Sequence, residues 1–422
     1  MKVVIINKSD ATGGAAVVSR RLMEALRVDG VDAHILVCEK LTDSTYVHLA
    51  SSPWQIKRAF LEERLKIFMA NGFNRATLFK IDTGEEGLPL WNHPLVKSAD
   101  AVLLNWVNQG MLSLNGVRRI LNLGKPVIWT MHDMWEMTGI CHHAGECEHF
   151  KKECGDCPLL IKKSSLGDLS HRIWGKKKKL YEGERPGKLV FVAVSNWLKD
   201  KAKESSLLSG QRVEVIPNAF DLQSIHQEKK KVDGKIRILF GAARLDDPIK
   251  GLDTLKKTTQ ILVKDYPEMS ANLELCMFGN VKEPASLQGF DVPLKYMGIL
   301  RGEEEVRRAY ESSDIVVSAS SYETLPGTLV EAQAYGCIPV SFNRGGQRDI
   351  IVPGETGFIA KYEEGSQQRA SNLAKGIALA YYIARDPVKY SAIRERMRQS
   401  VVSKFSYSGV AAKYISLIRS II

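Results

Sequence analysis

Short apolar runs alternate with amphipathic segments in two successive series, and this alternation constrains the fold more than any other feature of the chain. The first series has strand candidates at residues 2–7, 33–38, 101–105, 127–131 and 189–195. The second restarts at 236–242 and continues through 273–278, 294–297, 315–318 and 338–342. Strands alternating with helices build parallel sheets covered on both faces. A chain of 422 residues exceeds one ordinary core, so two α/β domains of roughly 200 residues each are expected. The segment 213–221 and the polar stretch 222–234 lie between the series. They place the domains at 1–212 and 213–406, with a terminal helix over 407–422.

Composition narrows the class. With 44% hydrophobic and 25% charged residues, the chain reads as a soluble globular protein. Residues 1–7 are too short for a signal-peptide core, and no run approaches the roughly 20 apolar residues that cross a bilayer. A cytoplasmic protein is expected, or one attached to the inner face of the cytoplasmic membrane. The net charge of +11 is concentrated: residues 151–235 hold 19 Lys/Arg against 11 Asp/Glu. Its densest runs are Lys176 to Lys179 and the three lysines at 229–231. Solvated faces and a linker are one reading of them; attraction to anionic lipid or a phosphate-bearing acceptor is the other. Nucleic acid is set aside, because no recognition helix or aromatic-basic motif accompanies the charge.

The richest local pattern is Ser321-Tyr-Glu323-Thr-Leu325-Pro326-Gly327-Thr328-Leu-Val-Glu331, continuing Ala332-Gln-Ala-Tyr-Gly336-Cys-Ile-Pro339-Val340. Glu323 lies in the loop after an apolar strand, and Glu331 about a turn inside a helix that Pro326 is suited to open. Backbone N–H groups and a helix dipole beside two carboxylates can hold a diphosphate between a sugar and a ribose. No metal is required for that.

Three further elements sit at strand ends. Gly13 and Gly14, after the first strand, allow close backbone approach to a phosphate or sugar, or simply make a tight turn. Arg244 and Lys250 follow the first strand of the second series; an Arg clamp and a compact Lys charge could neutralise a diphosphate leaving group. His132, with Asp133, ends the strand at 127–131, where it could bond a sugar hydroxyl or steady a developing charge, or could be structural. Residues 53–69 read as a helix with Trp54, Leu61, Leu65 and Phe68 on one face and basic edges. Packing of that stripe on the core is the first reading, and membrane docking the second.

In this order the elements resemble the retaining glycosyltransferases of family 4. The resemblance runs from Gly13-Gly14 through His132-Asp133, Ile216-Pro-Asn218, Arg244, Lys250-Gly251 and Phe278-Gly279 to Glu323 and Gly345-Gly346. It implies the GT-B fold, two Rossmann-like domains facing across a cleft. Gln333, Tyr335 and Asp349 depart from the residues usual in the family's signature, which bears on the donor more than on the carboxylates. The resemblance implies that Glu323 holds the donor sugar and Glu331 the ribose. The backbone at Leu325, Pro326, Gly327 and Thr328, with Arg244 and Lys250, would take the diphosphate. Gly13 and Gly14 would approach the donor, His132 would lie near the transferred sugar, and Gly279 near the base. A UDP- or GDP-sugar is the implied donor, and a glycan or lipid-linked oligosaccharide the acceptor. In the family's same-face chemistry the leaving diphosphate helps accept the acceptor's proton, and no catalytic metal is expected.

Cys141, Cys147, Cys154 and Cys157 fall within 17 residues, at C-x5-C-x6-C-x2-C spacing, with His142, His143 and His149 between them. Thiolate coordination of a structural zinc is the first reading; disulfides or free thiols, and an iron–sulfur or redox site, remain alternatives. A similar Cys-rich insertion, here 139–160, occurs in an exopolysaccharide subgroup resembling the colanic acid transferases. The sequence therefore leads to a retaining transferase acting in bacterial exopolysaccharide, capsule or lipopolysaccharide synthesis. Two rivals stand: another GT-B enzyme, an epimerase or phosphorylase, and a non-catalytic glycan- or membrane-binding protein.

Overall fold

The computed structural model describes the chain except for residues 162, 164–166, 184–187, 223–224 and 226–233. Most of the polar stretch 222–234, with the lysines at 229–231, therefore lies outside the described residues. Two compact units result: Met1–Phe220 with Tyr407–Ile422, and Asp221–Ser406. The division falls after residue 220, because Val213–Val215 still pairs within the first sheet.

Among the described residues, the first unit has seven parallel strands: β1 (Lys2–Ile6), β2 (Asp32–Val37), β3 (Val47–Leu49), β4 (Ala101–Leu104), β5 (Val127–Met131), β6 (Leu189–Ala193) and β7 (Val213–Val215). Their order is β3-β2-β1-β4-β5-β6-β7. Every residue of β4, β5 and β6 is buried, as expected of inner strands covered on both faces. Chain order reverses between β1 and β4, and a doubly wound sheet opens a crevice at such a point. Helix α1 (Gly14–Val28) leaves the β1 turn and buries Leu22, Met23, Ala25 and Leu26. Helix Tyr407–Arg419 packs on α1, where Tyr407 donates to Glu24 at 2.9 Å and the Tyr414 hydroxyl meets Thr130 Oγ1 at 3.0 Å. Helix α2 (Pro53–Ala70) starts at Ser52, whose side chain accepts from Gln55 N, with Pro53 in the first turn.

Among its described residues, the second unit has six parallel strands: β8 (Ile236–Arg244), β9 (Leu273–Asn280), β10 (Leu294–Tyr296), β11 (Ile315–Ser318), β12 (Ile338–Phe342) and β13 (Phe358–Ala360). The order β10-β9-β8-β11-β12-β13 reverses between β8 and β11, so the segments after those two strands share one sheet end. Helix α3 (Leu252–Asp265) follows β8 and α4 (Gly327–Ala334) follows β11. Helix α5 (Ser366–Arg385) covers the sheet with Ala370, Leu373, Ala374 and Ile377, all fully buried. Removing a side chain such as Leu373 would cost about 2–5 kcal/mol.

Candidate functional site

In the second unit, the segments after β8 and β11 meet through an ion pair and through Ser321 N, which donates to the Ile249 carbonyl at 2.8 Å. Lys250 Nζ lies 2.6 Å from Glu323 Oε1, which also accepts from Ser320 Oγ at 3.0 Å. The Glu323 carbonyl accepts from Gly346 N at 3.0 Å. A side chain at Gly345 would stand 2.0 Å from that carbonyl, and φ there is +126°, so glycine is required for the two loops to touch. Pro326 is the residue before α4 rather than its first helical residue as the sequence predicts, so Gly327 opens the helix. Glu331, inside α4, accepts from Tyr310 Oη at 3.0 Å, and Tyr310 stacks on Tyr335 at 5.2 Å. Tyr335, one of the departures noted above, is thus part of the packing that seats Glu331.

Arg244 sits at the end of β8, 3.4 Å from Asp246 and 3.2 Å from Asp247. Its guanidinium is held by neighbouring carboxylates, a feature that strand patterning does not reveal. Gly279 is the penultimate residue of β9, with φ +136°, and a side chain there would meet the Ala242 carbonyl at 1.9 Å. Close packing of β9 on β8 therefore accounts for this glycine on its own.

In the first unit, Gly13, Gly14 and His132 line one cavity of about 770 Å³ at the carboxyl ends of β1 and β5. Gly13 has φ +90°, whereas Gly14 has ordinary helical geometry, and an added side-chain carbon at either would meet nothing within 4 Å. Trp106 and Phe60 give the cavity aromatic walls, and Lys8 and Lys57 give it positive charge. Lys8 is fixed by donating to the Gln109 carbonyl at 2.8 Å. Burial pushes His132 down to about 4 against the pull of Asp133, so the imidazole is neutral at neutral pH.

Behind this wall is a buried polar cluster that sequence reasoning missed. His142 Nδ1 lies 2.8 Å from Asp133 Oδ2, and its Nε2 lies 2.7 Å from Asp82 Oδ2. Asp82 also pairs with Arg64 of α2. Burial opposes a charge on His142, but Asp133 and Asp82 outweigh it and raise the ring to about 10. Burial works against ionised Asp133 as well, yet His142 and the Trp135 N–H hold it down near 2. His142 sits beside Cys141, but its partner Asp82 is sixty positions away in sequence. No local pattern signals such a pair.

The lysine run 176–179 is not a uniform solvated face. Lys177 is fully buried, donates to the carbonyls of Trp135 and Thr138, and lies over the Trp135 ring at 3.4 Å. Burial lowers it to about 7. The stripe on α2 is also displaced from its first reading. The helix buries Ala59, Glu63, Arg64 and Ile67 instead, leaving Trp54 67%, Leu61 52% and Leu65 55% exposed. Phe68 is half-buried against Phe73.

Cys141, Cys147, Cys154 and Cys157 line a common cavity of about 20 Å³, and all four are free thiols. Gly139 N donates to Cys154 Sγ at 3.1 Å. Among the described residues, no three His, Cys, Asp or Glu side chains stand in an arrangement that would hold a metal ion.

Residues 223–382 match the family described as glycosyl transferases group 1. The putative colanic acid biosynthesis glycosyl transferase WcaC of Escherichia coli K12 is 22% identical over 405 residues, covering 93% of this chain and 96% of that protein. The matches support a glycosyltransferase. The Anabaena HepE structure in complex with UDP-glucose aligns over the whole of both chains, with a TM-score of 0.60 at 15% identity. A glycosyltransferase from Rickettsia africae aligns over all of this chain and 98% of its own, with a TM-score of 0.62 at 15% identity. These likenesses establish the GT-B fold. Lys250, Glu323 and Glu331 all fall within the family-matched region.

Proposed function

We propose that this protein is a retaining glycosyltransferase that moves a sugar from a UDP- or GDP-sugar to a glycan acceptor, carried on a lipid, in bacterial exopolysaccharide, capsule or lipopolysaccharide synthesis. The observation that carries the reading is the Lys250–Glu323 pair at the sheet end where α4 begins, inside the family-matched region. WcaC and HepE, named above, support a polysaccharide role and a uridine nucleotide.

The donor residues have complementary tasks. Glu323 accepts hydrogen bonds from sugar hydroxyls while Lys250 keeps it aimed. Glu331 takes the ribose hydroxyls. The N–H groups around Leu325 to Thr328 receive the diphosphate, and Arg244 exchanges its Asp246 and Asp247 partners for phosphate oxygens. As the bond from the anomeric carbon to the diphosphate breaks, charge builds on the leaving oxygen, where Arg244 and Lys250 stabilise it. The acceptor hydroxyl attacks from the same face and passes its proton to the departing diphosphate. No catalytic metal enters this scheme. His132, neutral in the first unit's cavity, serves as a hydrogen-bonding partner for sugar.

The first unit's cavity takes the acceptor. Pro53, Ile56, Lys57 and Phe60 on one side of α2 line it, while Trp54, Leu61, Leu65 and Met69 of the same helix are exposed. Lys57, Arg58 and Lys66 are exposed among them, a combination suited to an anionic bilayer that presents a lipid-linked glycan. Among the described residues, no helix is long and apolar enough to cross a membrane. We place the protein at the inner face of the cytoplasmic membrane. The four clustered cysteines are proposed as ligands of a structural zinc, whose binding would have to draw their thiols together, because no three of them stand in a metal-holding arrangement among the described residues.

The test is a thermal-shift screen against a panel of nucleotide sugars, followed by product analysis with lipid-linked acceptors and by co-sedimentation with anionic vesicles. Acceptor-dependent transfer with retained configuration is expected. Product without acceptor would indicate an epimerase, phosphate dependence a phosphorylase, and binding without turnover a non-catalytic protein.

A further inference from the structure

We infer that His142 is a positioning residue, bridging Asp82 and Asp133 so that the wall of the first unit's cavity is held from behind. The inference rests on the acceptor reading of that cavity. Asp133 Oδ2 accepts from Trp106 Nε1 at 3.0 Å and faces His142 Nδ1 at 2.8 Å, while Oδ1 accepts from Trp135 N at 2.7 Å. Asp82 Oδ1 accepts from Gln109 N at 3.2 Å and pairs with Arg64; Oδ2 faces His142 Nε2 at 2.7 Å. Trp106, Gln109 and Asp133 all line the cavity, whereas His142 does not. The imidazole therefore shapes the pocket without reaching it.

The bridge also ties the Cys-rich loop to the pocket. Cys141 pairs with Ile81 in an isolated antiparallel bridge, and the His142 carbonyl accepts from Met134 N at 2.8 Å. Asp82 N donates to Ile140 O at 2.9 Å, and its carbonyl accepts from Trp135 Nε1 at 2.8 Å. Any displacement of the loop start thus moves His142, and with it both carboxylates. A buried network of this kind is specific only when every member is satisfied, and losing one member loosens the rest.

The test uses full-length protein carrying His142→Gln or His142→Leu. Glutamine can donate to only one of the two carboxylates; leucine donates to neither. Acceptor KM should rise about ten-fold or more in the leucine variant and less in the glutamine variant, a range set by loss of hydrogen bonds to charged groups. Affinity for the nucleotide sugar should change less than the acceptor KM, because most of its proposed contacts, from Arg244 to Glu331, lie in the second unit. Hydrogen exchange should quicken at the Gln109 and Trp135 amides, and this readout does not depend on turnover. Unchanged exchange at both amides would overturn the inference even if no acceptor were found. Wild-type transfer with acceptor KM unaltered in both variants would also overturn it while leaving the glycosyltransferase reading intact. A wild-type protein without transfer, but with quickened exchange in the variants, would instead remove the acceptor reading and leave the positioning role. Should the leucine variant not fold, Asp82→Asn is measured in its place, with the same rise in acceptor KM and quickened Gln109 exchange expected.

Discussion

Replacing Gly14 by alanine separates the demands of folding from those of the ligand. Gly14 is the first residue of α1, does not need a positive φ, and an added methyl would meet no atom within 4 Å. Folding therefore gains nothing from glycine at this position. Alanine favours helix by at most about 1 kcal/mol over glycine, which in a unit of this size moves Tm by no more than about 2–4 °C. The neighbouring residue makes the contrast. Gly13 has φ +90° and ψ 166°, a region that only glycine occupies easily, so Gly13→Ala should cost about 1–3 kcal/mol of stability. The cavity, however, opens beside both glycines. If a sugar or phosphate oxygen approaches the Gly14 backbone, a methyl group displaces it and removes a hydrogen bond to a charged or strongly polar group. That is worth about 1.5–3 kcal/mol, a fall in kcat/KM of about 10- to 150-fold. Thermal unfolding and steady-state kinetics on the same preparation decide the matter. Full activity in Gly14→Ala at unchanged Tm would show that no ligand comes near this backbone, and loss of Tm matching loss of activity would show that the glycine is structural.

Three other perturbations probe separate parts of the reading. Glu323→Gln keeps an acceptor for Ser320 but weakens the attraction to Lys250; for a partly exposed pair this should cost only about 1 kcal/mol of stability, while kcat/KM falls about ten-fold or more, and unchanged turnover would remove Glu323 from the donor site. His132 has a native pKa of about 4 against an ordinary value of 6.5, so the unfolded chain binds the extra proton between those limits and stability falls as pH drops from 6.5 toward 4. The full effect is about 3 kcal/mol, and urea unfolding at pH 7 and pH 5 should show a smaller pH dependence in His132→Asn than in wild type; parallel curves would contradict a half-buried neutral imidazole. Protein prepared without added zinc should carry about one metal per chain, and Cys154→Ser should lose it together with several degrees of Tm; metal-free protein with paired disulfides would reject coordination.

What the sequence discloses depends on how local the responsible physics is. The inner strands β5, β11 and β12 were readable to the residue, because strands buried on both faces must be continuously apolar. Strands β3, β7 and β13 carry no such signal: each has three residues, too few for a hydrophobic period, and exists because a longer neighbour offers its edge, whereas β10, equally short, is marked by its place in the alternating series. The same division runs through the candidate site. Glu323 and Glu331 were legible because one loop and one helix carry both, and their spacing is written in consecutive residues. Seating Glu331 needs Tyr310, and aiming Glu323 needs Lys250, contacts across 21 and 73 positions that only the parallel sheet brings together. Helix α2 departs from its sequence pattern for a related reason. Its apolar stripe looks like a core face, yet the core side is anchored by Glu63 and Arg64, whose charges are compensated from the 82–84 segment. A buried charge is tolerable only when distant partners meet it, so no periodicity count could have assigned that face to the interior. The apolar stripe is thereby left outside, beside the helix side that lines the cavity. Exposure of such a stripe has a cost that a partner surface would remove, and the anionic bilayer proposed above would be such a surface.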